Sequence, residues 1–162
     1  MRVKGFLVST ILLLVAVNAA ALDSACSPIV AASEARMKQS AWHSVTTLSG
    51  GMRMENMKVN GGFYRQIGGT WMKSPISFDQ AERDMIAQIK SGEVKLSKCA
   101  SAGFDIVDGV PVSVVTSTVE MKGAPAAESK LYIGKLDGLP YKQVGKAVNV
   151  SYKYKNISPP KL

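Results

Sequence analysis

The sequence is poor in the residues from which metal sites and most catalytic sites are built. Its 162 residues include one histidine, His43, and two cysteines, Cys26 and Cys99. A structural zinc site needs four cysteine or histidine ligands, so this set is too small. No serine lies in the glycine pattern of a nucleophile elbow, and the acidic residues are scattered singly. We therefore expect no metal, no cofactor and no enzymatic activity.

Long apolar runs are also missing. The longest, "FLVSTILLLVAV" from Phe6, is shorter than the ~20 residues of a membrane-spanning helix. Arg2 and Lys4 precede it and an alanine triplet ending at Ala21 follows it, which is typical of a secretory signal peptide. We expect cleavage near Ala21, so that residues 1–21 are removed and the protein is periplasmic or secreted.

The two cysteines are best explained by export. Two cysteines in an exported chain most simply form one disulfide, Cys26–Cys99. The alternative is a lipid-anchored Cys26, but "LDSA" before it places Asp23 where such sites carry small or leucine-like residues. The disulfide is the prediction.

Two segments read as helices. The first follows Ser27-Pro28 and is rich in good helix formers. The second begins after Ser77, whose spacing to Gln80 is that of a capping box, and stops at Gly92. An apolar face on this second helix is formed by Phe78, Ala81, Met85 and Ile89.

The remainder alternates like short strands separated by tight turns. Glycine-containing turns occur at residues 50–51, 60–61, 68–69, 108–109 and 137–138. Because parallel strands need long crossovers, about eight or nine strands joined this tightly predict an antiparallel sheet. The fold class is α+β: one strongly curved sheet with two helices against its concave face, spanning residues 22–156, followed by a loose tail at 157–162.

Methionines and aromatics offer an apolar lining between sheet and helices. Core filling explains any one of them, whereas together they suit an adaptable pocket, since methionine is flexible and polarisable. The candidate lining residues are Met52, Met54, Phe63, Trp71, Phe78, Met85, Ile89, Leu131, Ile133 and Tyr152.

Positive charge is concentrated at the end of the chain. The net charge is +8, and residues 121–162 hold eight lysines against only Glu128 and Asp137. Two interpretations stay open: lysines that blunt exposed sheet edges, or a basic surface for anionic lipid headgroups or an acidic protein partner. Nucleic acid is not expected, because no aromatics are spaced for base stacking. The predicted basic surface comprises Lys130, Lys135, Lys142, Lys146, Lys153 and Lys155.

Three segments resemble the periplasmic lipoprotein carrier and localisation factor superfamily. They are "FYRQIGGTWMKSP", "CASAGFDIVDGVPVSVV" and "KLYIGKLDGLPYKQ" with the final "VNVSYKYKNISP", within about residues 42–156. The resemblance implies an unclosed antiparallel half-barrel around helices, with an apolar cavity for acyl chains, and a role in envelope lipid or lipoprotein trafficking.

Two other functions remain open. One is a periplasmic protein-binding module, an inhibitor or accessory protein of an envelope enzyme, without a small ligand. The other is a small hydrolase-like or isomerase-like α+β cone, which would need an acid deep in the cavity; Asp105 and Glu120 are the acids inside the strongest β runs. We favour a non-enzymatic protein that binds a lipid, acyl chain or other apolar ligand.

Overall fold

A computed structural model describes residues 22–162, and the predicted signal peptide lies outside the described residues. After a short 3-10 turn at Ser24–Cys26, helix α1 covers Ser27–Met37 and helix α2 covers Phe78–Ser91. The strands are β1 Trp42–Leu48, β2 Arg53–Val59, β3 Gly62–Ile67, β4 Thr70–Lys73, β5 Val94–Val107, β6 Val110–Met121, β7 Ala127–Gly134, β8 Pro140–Gly145 and β9 Val148–Lys153. Residues 157–162 form neither helix nor strand.

All nine strands form one antiparallel sheet in the order β4-β3-β2-β1-β9-β8-β7-β6-β5. The sheet does not close, so β4 and β5 are its two edges. These edge strands are consecutive in the sequence and are connected through α2, while β1 and β9, from opposite ends of the domain, pair at the centre. The predicted α+β class with an unclosed, curved antiparallel sheet and two helices is confirmed.

Several turns follow the chemistry of the sequence. Asn60 and Gly61 both have positive φ, 51° and 72°, as do Asp108 and Gly109, 48° and 80°. Two consecutive left-handed residues match the right-handed twist of a tight hairpin. The turn at Gly138, with φ 69°, is instead part of a longer loop closed by a hydrogen bond from the Gly134 N–H to the Leu139 carbonyl.

Helix α2 begins and ends as predicted. The Ser77 Oγ accepts a hydrogen bond from the Gln80 N–H at 3.1 Å, and Gly92 ends the helix in the left-handed conformation at φ 80°. Its buried residue is Ile86, whereas Met85 is 40% exposed. The helix is therefore rotated toward Ile86 relative to the face predicted from the sequence.

The disulfide Cys26–Cys99 is present. Cys26 is completely buried and belongs to a core cluster with Val30, Ile86 and Leu96. The bond therefore holds the start of α1 against β5, next to the end of α2. Among residues 22–162, no helix is long and apolar enough to cross a membrane.

Candidate functional site

Strand register separates the side chains into an inner face, which the helices cover, and an outer face. Directly paired residues point to the same side of an antiparallel sheet. The Ser44–Tyr152 pair and the Val115–Leu131 pair lie on the inner face. Their sequence neighbours, such as His43, alternate to the outer face.

The first cleft lies between both helices and strands β5 to β9. It has a volume of about 180 Å³ and is partly open to solvent. The helices contribute apolar side chains including Ile29, Met85 and Ile89, and the sheet contributes Leu96, Val119, Leu131 and Tyr152. This is the position that the sequence predicts for an apolar ligand.

A second cleft of about 340 Å³ continues over the other half of the inner face. Its apolar part consists of Trp42, Phe63 and Phe78, whose rings pack together. Its polar part includes Asn56 and Arg65. The second cleft is therefore more polar at its open end than the first.

Arg36, on α1, lines both clefts. Its Nη2 donates to Glu82 Oε1 on α2 at 2.9 Å, and both side chains are nearly buried, at 13% and 14% exposure. Its Cζ lies 4.8 Å from the Phe78 ring centroid and 5.1 Å from that of Tyr152. The guanidinium thus connects both helices to the sheet at the boundary between the clefts, with cation–π contacts to the flanking rings.

The electrostatics of this contact keep Arg36 charged. Burial disfavours the cation, but the coulombic contributions of Tyr152 and Glu82 outweigh burial and raise the pKa of Arg36. Burial also raises the pKa of Tyr152 against the opposing effect of Arg36. Arg36 is therefore a permanent cation inside a largely apolar site.

Arg36 is not among the predicted site residues, although the sequence contains a signal for it. Ile29, Ala32 and Arg36 follow the i, i+3, i+7 spacing of one helical face. Ala32 is 1% exposed and packs in a core cluster with Val115, Leu131 and Ile133, so this face points at the sheet. An arginine on that face has to enter the interior.

The structure brings most of the predicted lining residues to the inner face. Met85, Ile89, Leu131 and Tyr152 line the first cleft, and Phe63, Phe78 and Tyr152 line the second. Ile133 is buried under α1 in the cluster with Ala32. Met54 pairs with Thr46, on the inner-face side of β2.

Two predicted lining residues are placed elsewhere. Met52 precedes β2 and is 58% exposed. Trp71 pairs with Gln66, one residue out of phase with Phe63, and therefore lies on the outer face. There its ring centroid is 6.2 Å from that of His43. A one-residue offset is sufficient to move a side chain to the opposite side of a sheet.

His43 belongs to an ion-pair network on that outer face. Its Nε2 lies 2.7 Å from Glu55 Oε2, and Arg53 Nη2 lies 2.9 Å from Glu55 Oε1. Burial acts to raise the pKa of Glu55, but hydrogen bonds from Arg53 and His43 outweigh it and lower that pKa. These contacts account for His43 structurally.

The predicted basic residues also lie away from the clefts. Lys130, Lys142 and Lys153 occupy the outer face of β7, β8 and β9 by register. Because these strands are in the interior of the sheet, edge protection does not explain these three lysines. Lys146 follows β8, Lys155 follows β9, and Lys135 Nζ lies 4.1 Å from the Phe104 ring centroid.

Comparisons with known proteins establish the fold alone. No family model matches the chain, and no curated protein matches its sequence. The crystal structure of the Mycobacterium tuberculosis lipoprotein LppX aligns with a TM-score of 0.53 at 9% identity, covering 83% of this chain and 97% of LppX.

Two weaker alignments involve the protein MucB. Its crystal structure aligns with a TM-score of 0.45 at 17% identity, covering 85% of this chain and 60% of MucB. The Pseudomonas aeruginosa MucA/MucB complex gives 0.44 at 16% identity, covering 79% and 55%. The chain thus spans little more than half of those MucB chains, and the domain shares its fold with the lipoprotein LppX.

Proposed function

We propose that this protein is a non-enzymatic binding protein of the cell envelope, which holds an acyl chain or similar apolar group between its helices and the inner face of its sheet. The observation that carries the proposal is the first cleft, where apolar side chains from both helices and five strands surround an open space of about 180 Å³. Small-molecule sites are usually concave and mostly apolar, with a few polar groups in the lining.

The size of the cleft indicates how a ligand would enter. Pockets for small molecules are typically about 300–1,000 Å³, so the first cleft alone takes only part of a long acyl chain. The second cleft, of about 340 Å³, lies directly beyond Arg36. Displacement of the Arg36 side chain would join the two spaces, and a bound chain would then extend past Tyr152 toward Phe63.

The likeness to LppX, a lipoprotein, supports an envelope setting through the shared fold. The disulfide supports an oxidising compartment, because such bonds are rare in reducing ones. The predicted signal peptide points the same way.

The test uses a fluorescent fatty-acid probe and the oxidised protein. Probe binding should be reversed by a lipid extract, and Met85→Asp should weaken it about tenfold, or 1.4 kcal/mol, because an ionised carboxylate then faces the acyl chain. Met52→Asp is the matched control, since Met52 is exposed outside the cleft, and it should leave binding unchanged. Absence of probe binding, or equal effects of the two substitutions, would contradict the proposal.

A protein-binding module is the second candidate. The specific observation in its favour is the small volume of the first cleft, which leaves most of the interior filled. Native mass spectrometry of protein purified from its own envelope separates the two functions. Co-purified lipid supports the apolar-ligand role, whereas a stable heteromeric complex without lipid supports the module.

A further inference from the structure

A separate groove lies on the outer face of the sheet, and it shares only Ser117 and Ser129 with the lining of the first cleft. It has a volume of about 490 Å³ and lies across β5, β6, β7 and β8. Three lysines, Lys98, Lys130 and Lys146, come to it from β5, from β7 and from the segment after β8. The groove therefore gathers positive charge from segments far apart in the sequence.

The residues at the floor of this groove are polar and small. Thr116 and Thr118 lie at its floor on the outer face, and Gly145 adds no side chain. A Cβ at Gly145 would lie 3.3 Å from the Glu128 carbonyl oxygen and 3.4 Å from that of Val148, so a larger residue would press on the neighbouring backbone. Ammonium groups at the sides of a polar groove suit a negatively charged occupant.

The charges of the groove are not balanced internally. None of its three lysines comes within 4.0 Å of a carboxylate in residues 22–162. Nearby on the same pair of strands, Lys95 does find an acidic partner, Glu120, at 3.7 Å. Glu128 is the carboxylate among the residues that line the groove.

Lys98 is directed toward the groove by an irregularity of β5. Ser97 pairs with Thr118 and Ala100 with Thr116, so Lys98 and Cys99 together face the single residue Ser117. Lys98 has φ 52°, a conformation that residues other than glycine rarely adopt. Such bulges re-aim side chains, and the disulfide at Cys99 fixes this one in place.

From these observations we infer that the groove binds an extended acidic peptide segment of a partner protein. Charge complementarity identifies the occupant as anionic. Its shape, a groove across a sheet face, accepts a chain but not a flat bilayer. The Glu128 carboxylate can accept a hydrogen bond from a peptide N–H, which a phosphate polymer lacks, and its negative charge repels phosphate.

The experiment measures fluorescence anisotropy with a labelled peptide of about ten residues that alternates glutamate and serine, extending at about 3.3 Å per residue. Its glutamine–serine counterpart is the control probe. The acidic probe should bind at low salt and dissociate toward ~0.5 M, where the screening length is a few ångström. The neutral probe should not bind.

Two variants locate the site. Lys98→Gly and Lys130→Gln should each weaken binding about two- to fivefold, the range expected for exposed ion pairs. Lys98→Gly should not lower the melting temperature, because glycine adopts the positive φ without strain. Lys73→Gln, which removes an exposed lysine from the outer face of the far edge strand, should change neither property.

Three results would overturn the inference. They are unchanged affinity in both groove variants, equal loss in Lys73→Gln, and competition by polyphosphate that is stronger than by unlabelled acidic peptide. Binding to anionic vesicles in place of the peptide would likewise assign these lysines to a membrane surface. The fatty-acid probe should bind normally in every groove variant, so failure here leaves the proposed apolar site unaffected.

Discussion

Replacing Arg36 by methionine tests whether the guanidinium holds the helices to the sheet. The change leaves Glu82, at 14% side-chain exposure, without its partner at 2.9 Å. Removing one member of a buried ion pair costs about 3–5 kcal/mol. Because Glu82 keeps some contact with solvent, we expect the lower end, about 3 kcal/mol. That is a large part of the 5–15 kcal/mol typical of a domain, yet it leaves the protein folded.

The double variant Arg36→Met, Glu82→Met separates the ion pair from packing. Both charges are then gone, and an apolar pair of similar volume is often neutral. The remaining loss is that of the cation–π contacts with Phe78, Tyr152 and Trp42, about 1–2 kcal/mol together. The double variant should therefore be more stable than Arg36→Met alone, with a coupling of at least about 1 kcal/mol.

Urea unfolding with the disulfide intact measures these free energies, and equal m-values would show that the denatured states are comparable. Arg83→Met, on the exposed side of α2, is the control and should lie within about 0.5 kcal/mol of the unmodified protein. If Arg36→Met costs less than about 1 kcal/mol, or if the two substitutions are additive, Arg36 does not connect the helices to the sheet.

Two further predictions concern the disulfide and acid stability. The mature, non-reduced protein should have a mass two hydrogens below that of the reduced chain, and free thiols in the native protein would disprove this. The double variant Cys26→Ala, Cys99→Ala should lower the free energy of unfolding by about 4 kcal/mol, because the bond closes a loop of about 70 residues. Because the folded-state pKa of Glu55 lies below its ordinary value of 4.5, the stability from its ionised form is present above that pH and is lost as pH falls below it. Glu55→Gln should therefore lower the melting temperature at neutral pH, and the difference in melting temperature from the unmodified protein should shrink between about pH 5 and about pH 3. If that difference stays constant with pH, the ion-pair network with His43 and Arg53 does not contribute to stability.

The sequence predicts the architecture well because the relevant signals are local. Turn residues such as Asn60-Gly61, the cap at Ser77 and the stop at Gly92 act within a few residues of themselves. The cysteine count was enough for the disulfide, since only one pairing exists. Strand order is not local, and it decides which lysines lie at an edge.

The candidate site was less accessible from sequence because it depends on phase and on long-range contacts. Trp71 and Phe63 lie on neighbouring strands, but their faces follow from a register that the turn between β3 and β4 sets. Lys98 enters the outer groove only because of a bulge opposite Ser117. The buried position of Arg36 depends on its ion pair with Glu82, and no residue near Arg36 in the sequence indicates that partner.

Helix α2 also has a consequence for the shape of the whole sheet. It connects the two edge strands, β4 and β5, and so links the two ends of the curved sheet. At 1.5 Å per residue, its 14 residues extend about 21 Å, and each turn of helix accounts for about 5.4 Å. The length of this helix, together with the short connections at 74–77 and 92–93, therefore limits how far apart the two edge strands of the sheet can lie.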